Sequence, residues 1–185
     1  MKLSKKFLIA IFTITAITSC KKLDIVPTDR FSDATFWKVD ANVYSALYNN
    51  YHLMYNSGLY FSSEALSDNA YARSGDVNII SGGNATASTS KFAGDWSNYY
   101  SDIKSCNEFL TFVNQNSTLS KYVINRIRAE TRFLLAFAHF NLTKSLGDVP
   151  LLTDNITPDE SKVIRRTPKA DVVKFIISEL QAAIP

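Results

Sequence analysis

Apolar residues recur at helical spacing in four separate stretches of this chain, and no stretch alternates apolar and polar residues as a strand would. The first stretch has one row at Phe36, Val43, Leu47, Tyr51 and Met54, with a second at Trp37, Tyr44, Tyr48 and Tyr55. Ser32 is placed to cap it, Phe31 and Phe36 have staple spacing, and Gly58 marks its end. A Trp/Tyr stripe can be a sugar-stacking face or a packed face; at helical spacing the packed core is the expectation. The second helix spans about 95–114, with Trp96, Tyr99, Ile103, Cys106, Leu110 and Val113 on one stripe, so Cys106 reads as a small core residue. The third and longest spans about 119–146. Ile127, Thr131, Leu134, Ala138 and Leu142 form one row, and Phe133, Phe137 and Phe140 another. Apolar rows on two sides place this helix between neighbours, and Gly147 with Pro150 stops it. Thr167 as cap and Pro168 at the first helical position open a fourth helix carrying Val172, Ile176, Leu180 and Ile184. The expectation is an all-α fold in which the second and third helices form an antiparallel hairpin. No strict internal repeat is present.

Two segments fall outside this pattern. Residues 59–90 are irregular and rich in Ser, Gly, Asn and Asp; a segment of this length in a compact domain is functional or disordered. It lacks the spacing of a phosphate loop. At the other end of the order stands the N-terminus. Lys2, Lys5 and Lys6 precede an apolar run from Phe7 to Ile17, then Thr18, Ser19 and Cys20. This is the build of a secretory signal, and the run is far shorter than the roughly 20 residues that span a bilayer. The cysteine at the cleavage point resembles a bacterial lipoprotein signal, with Cys20 as the lipidated residue. The organisation expected is a signal peptide at 1–19, an extended tether at 20–30 and a helical domain at 31–185.

Removing the signal changes the electrostatics. The chain has 20 Lys and Arg against 17 Asp and Glu, and the signal holds three lysines and no acid, so the mature charges balance. The pI of 8.8 therefore belongs to the leader, and no basic field for nucleic acid remains. Cys106 would be the only mature thiol, which excludes an intramolecular disulfide. The two histidines, His52 and His139, have no ligand-spaced partners, so no metal or cofactor site is expected; His139 reads as a core histidine. No nucleophile elbow, zinc-protease helix or dinucleotide fingerprint occurs. Glu64 and Asp68 could form a hydrolytic pair only if the fold brought them to the right separation. Four Asn-x-Ser/Thr sites (Asn84, Asn116, Asn141, Asn155) matter only in a eukaryotic secretory route.

The run Ala129-Glu130-Thr131-Arg132-Phe133-Leu134-Leu135-Ala136-Phe137-Ala138-His139-Phe140-Asn141-Leu142, followed by Gly147-Asp148-Val149-Pro150-Leu151, resembles the SusD/RagB signature. Other parts match in order: Ser19-Cys20 with Leu23-Asp24 and Pro27, Phe36-Trp37, Ser67-Asp68, then Trp96, Tyr99-Tyr100, Ile103, Cys106-Asn107 and Thr167-Pro168. Leu135, His139 and Leu146 depart from the usual Arg, Tyr and Tyr/Phe. The resemblance implies a fold of tetratricopeptide-like antiparallel helix pairs with long irregular loops, and no catalysis. It implies a lipid-anchored protein on the outer face of the Bacteroidetes outer membrane that captures oligosaccharides or other nutrients. It also implies a SusC-like TonB-dependent transporter as partner. Family members are well over twice this length, so the resemblance is to their N-terminal portion. Apolar faces that later helices cover in such members are then expected to be exposed here. A surface glycoside hydrolase and a helical protein–protein scaffold are the alternatives.

The candidate ligand residues follow from what the helices leave uncommitted. Tyr71 stands in the irregular segment after Ser67-Asp68, with Arg73 and Asp76 close behind. An aromatic face for the apolar side of a sugar and planar polar groups for its hydroxyls are the chemistry a glycan needs. The bland alternative is a solvated loop with one anchoring tyrosine.

Overall fold

A computed structural model describes residues 33–55, 63–73, 75–116 and 118–184. The helices are α1 (Asp33–Phe36), α2 (Asp40–Met54), α3 (Asp76–Ser81), α4 (Ser90–Phe112), α5 (Lys121–Leu146), α6 (Pro158–Ser161) and α7 (Lys169–Ala182). Single 3-10 turns cover Glu64–Leu66 and Val113–Gln115. Among the described residues there is no strand, only an isolated bridge between Val149 and Thr167. The protein is all-α, as the periodicity predicts.

Helix α5 is the centre. It packs along α4 on one side and α7 on the other, and α2 lies against both α4 and α5. The short connection at 113–120 makes α4 and α5 a hairpin. The row Ile127, Thr131, Leu134, Ala138 and Leu142 is buried throughout. One core joins α4, α5 and α7 through Tyr99, Ile103, Cys106, Leu135, Val172 and Ile176. A second joins α2 to the α4–α5 turn through Trp37, Val43, Leu47, Phe109, Val113 and Ile127. The turn is fastened to α2 by Asp40, which accepts from Asn116 Nδ2 at 3.1 Å and from the Thr118 hydroxyl. No described helix is long and apolar enough to cross a membrane.

Several boundaries differ from the sequence reading. The first helix is two pieces, broken at 37–39. The reason is phase: Trp37 and Val43 are six residues apart, about 240° around a continuous helix, yet both face the same core. The break rotates Trp37 inward, and Asn42 Nδ2 donates to Phe36 O at 3.1 Å across it. Phe31 and Ser32, the expected staple and cap, lie outside the described residues, as do Cys20 and Gly58. Helix α4 begins at Ser90, with Lys91 pairing to Asp95 at 2.7 Å. Helix α4 thus starts earlier than its expected 95, and part of the segment read as irregular is helical, namely α3 and the 3-10 turn Glu64–Leu66. Thr167 does not cap the fourth helix. Its N–H donates to Val149 O at 3.0 Å, and Asp148 Oδ1 takes the Lys169 N–H at 2.8 Å in its place. Gly147 ends α5 as expected, at φ 72°, which favours glycine.

The aromatic stripes divide. Trp37 is buried, while Tyr48 is 65 % exposed and Tyr55 is also exposed. On α5, Phe133 is 51 % and Phe140 48 % exposed; on α7, Ile177 and Leu180 are exposed, as is Ile184 just beyond it. Part of this apolar surface lines a groove of about 940 Å³, with Tyr51, Phe133, Leu180 and Ile184 beside Arg126, Arg128 and Arg132. Arg132 is held by both Glu179 oxygens at 3.2 Å, and Arg126 Nε pairs with Glu130 at 3.2 Å.

Two buried titratable groups stand out. Asp102 on α4 is 2 % exposed, and no donor reaches it among the described residues. Burial pushes its carboxyl up to about 7. His139 on α5 is fully buried against the Phe175 ring, and its Nδ1 lies 3.0 Å from Leu135 O. With the proton on Nδ1 donating there, Nε2 is left as an acceptor without a partner among the described residues. Burial lowers its pKa to about 4. The histidine is a core residue, as read. Cys106 is buried too, and burial with the nearby Asp102 pushes its thiol up to about 12, far from a nucleophile's range.

Candidate binding site

The residues singled out for a ligand sit at the start of α3 and just before it. Tyr71 is 82 % exposed and Arg73 is exposed, and neither has a polar partner among the described residues. Asp76 is the first residue of α3 and is half-buried, and its Oδ2 accepts from Ser90 Oγ at 2.5 Å. The three are close in sequence but unequal in freedom: Tyr71 and Arg73 are available, and Asp76 already ties α3 to α4. Upstream, Ser67 Oγ donates to Glu64 O at 2.7 Å, and Asn69 Nδ2 donates to Glu64 Oε2 at 3.1 Å. Glu64 is thus engaged by an amide within its own turn. No group of three His, Cys, Asp or Glu among the described residues could hold a metal ion.

A second place is built between α4 and the segment 150–164. It is a cleft of about 480 Å³, within the range of small-molecule sites. Trp96 and Tyr100, one turn apart, form its aromatic side, with ring centroids at 4.8 Å and planes at 53°. Arg166 lies over the Trp96 ring at 5.6 Å and donates to Asp148 O at 2.8 Å. The Tyr100 hydroxyl donates to Pro150 O at 2.7 Å, and burial pushes this phenol up. One turn beyond Lys104, Asn107 Nδ2 donates to Leu152 O at 3.2 Å and to Asp154 O at 3.1 Å. Those two carbonyls fix the amide's orientation, so Oδ1 is its remaining acceptor, and it is buried without a donor among the described residues. Lys104 and Glu108 pair at 3.7 Å on the rim. Asp154 Oδ1 takes the Asn155 N–H at 2.7 Å, and Asn155 Nδ2 donates to Thr111 at 3.2 Å.

Sequence reasoning placed Trp96 in the core stripe and gave Tyr100 and Asn107 no chemical role. A signal was available: Trp96, Tyr100, Lys104 and Glu108 recur every four residues and trace a second face of the helix. Tyr71, Arg73 and Asp76 do not line this cleft.

A family model described as "SusD-like_3: Starch-binding associating with outer membrane" matches residues 23–185. SusD-like protein P25 of Formosa agariphila is 24 % identical over 197 residues, covering 97 % of this chain and 37 % of that protein. A SusD-like protein of Bacteroides ovatus is 25 % identical, covering 98 % of this chain and 35 % of that protein. The chain thus spans little more than a third of these relatives' length. Among solved structures, a SusD-like carbohydrate binding protein of Bacteroides fragilis superposes with a TM-score of 0.71 at 30 % identity, over 80 % of this chain and 32 % of that one.

Proposed function

The chain belongs to the SusD-like family, and from that premise we propose that it captures oligosaccharides or similar nutrients at the outer membrane by binding without turnover. The observation that carries this reading is the 30 % identity and 0.71 TM-score to a protein described as carbohydrate-binding, over 80 % of the chain. Cys20 is the lipid anchor, the tether follows it, and the helical domain faces outward to serve a SusC-like TonB-dependent transporter. Within the domain, Tyr71 stacks on a sugar ring while Arg73 and Asp76 Oδ1 hydrogen-bond its hydroxyls. The exposure of Tyr71 and Arg73 supports this assignment, because side chains with no internal role cost little to commit to a ligand.

The anchor is tested by metabolic labelling with a fatty-acid analogue. Wild type will incorporate label and Cys20→Ala will not; equal incorporation rejects the anchor. The site is tested by calorimetry with the purified protein and soluble starch. The Tyr71→Ala, Arg73→Ala double variant will bind more weakly by about 1–2 kcal/mol, at an unchanged melting temperature. Unchanged affinity would place the site elsewhere, and release of reducing ends by the wild type would replace binding with hydrolysis.

A further inference from the structure

We propose that the cleft between α4 and segment 150–164 is a second glycan subsite, specific for an uncharged sugar; this rests on the glycan-binding reading above. Three features of the cleft lead to it. The first is the aromatic side. Tyr100 spends its hydroxyl on Pro150 O, so what it offers a ligand is its ring, set beside the half-exposed Trp96 ring at 4.8 Å. The Tyr100 ring, with the part of the Trp96 ring that Arg166 leaves uncovered, offers the apolar face of a pyranose a surface to rest on. Pro150, Leu152, Ile156 and Ile164 extend that surface across the cleft.

The second feature is the rim. Lys104, Glu108, Asn155 and Ser161 line the cleft as well and carry donors and acceptors for ring hydroxyls. Asn107, 3 % exposed, lines the inner end. Its Nδ2 is held by the two loop carbonyls, and its Oδ1 is a buried acceptor without a donor. A hydroxyl that reaches the inner end, or the water it carries, supplies that donor.

The third feature is charge, which decides between sugars. Lys104 is matched by Glu108 at 3.7 Å. Arg166 is committed to the Trp96 ring and Asp148 O, and Asp154 faces the same cleft. Two cations against two carboxylates leave no net field to attract an anion, and a uronate would approach Glu108 and Asp154 at a cost. A neutral hexose or pentose meets no such penalty.

The chain has two tryptophans, and Trp37 is 6 % exposed in the other core. A ligand-induced change in indole emission therefore reports on Trp96. The purified protein is titrated with neutral oligosaccharides (maltoheptaose, laminarihexaose, xylohexaose) and with oligogalacturonate, followed by emission and calorimetry. At least one neutral oligosaccharide will bind with a change in emission. Trp96→Ala will weaken that binding about tenfold. Lys104→Ala, at a largely exposed position that pairs with Glu108, will weaken it about threefold with an unchanged melting temperature. Neutral binding that both variants leave untouched would overturn the cleft while the proposed function stands. Oligogalacturonate binding lost in Trp96→Ala, with neutral sugars inert, would overturn the uncharged class. Absence of binding to every probe, with Tyr71 and Arg73 intact, would overturn the glycan reading itself and the cleft with it.

Discussion

Asp102→Asn will make the protein's stability rise with pH between 4 and 6.5, and His139→Gln will make it fall with pH across the same interval, while the wild type lies between the two. The cause is two buried groups with opposite linkage. His139 titrates near 4 in the folded chain against 6.5 in the unfolded one. Between those values the unfolded state holds the extra proton, so stability grows as pH rises and is lost as pH falls. Asp102 titrates near 7 when folded against 3.8 when unfolded. There the folded state holds the extra proton, so stability declines as pH rises through the same range. The two effects run in opposite directions over their common window, so in the wild type each masks part of the other. Removing either group exposes the other. Urea titrations of the three proteins in half-unit pH steps will show diverging slopes; three parallel profiles would show that neither group is desolvated as its burial indicates. Above pH 7, Asp102→Asn will also be the more stable protein, because the wild type then holds an ionised carboxylate with no donor among the described residues.

Trp37→Ala will cost about 4 kcal/mol, the largest loss from any single truncation in the α2 core. The indole is bracketed by Phe36 at 5.0 Å, Phe109 at 5.7 Å and Phe112 at 5.8 Å, two of them edge-on and one stacked. Three aromatic neighbours and near-complete burial leave a void that α2 cannot fill, because the break at 37–39 fixes where it starts. Two controls sharpen the result. Tyr48→Ala, on α2 but 65 % exposed, will cost under about 1 kcal/mol. Trp37→Phe will cost less than half of the alanine change, since it keeps a ring and removes the buried Nε1 donor that has no acceptor. Equal losses for Trp37→Ala and Tyr48→Ala in chemical denaturation would mean that the helical stripe is not packed as described.

These two cases also mark how far the sequence could be read. The α5 row from Ile127 to Leu142 was readable because one unbroken period runs along one helix. Which of two adjacent rows faces inward is a different question. Tyr48 and Tyr55 follow the same period as Trp37, and only the phase change at 37–39 separates the buried indole from these exposed phenols. Asp102 sits one residue from Ile103 on the buried face of α4, but an acid within an apolar stripe is easily taken for its polar edge. Gly94 and the Ser-rich run before it hid the first turn of α4. Thr167 has the right neighbours for a cap, yet Asp148, nineteen residues earlier, takes that role through a bridge that periodicity cannot register. The candidate site divides in the same manner. Tyr71, Arg73 and Asp76 could be proposed from the sequence because a local irregularity singles them out. The cleft was missed because its second wall lies fifty residues downstream of Tyr100, and nothing local on α4 announces it.

The bonds from Tyr100 to Pro150 O and from Asn107 to Leu152 O and Asp154 O all end on main-chain oxygens. Every residue type carries such an oxygen. The helix therefore dictates the path of the wall without dictating its side chains, and Leu152, Asp154 and the residues after them can be exchanged with the anchor intact. Such a division of labour lets descent, or an engineer, rewrite what the cleft prefers one substitution at a time, with little of the stability loss that reshaping a binding surface usually brings.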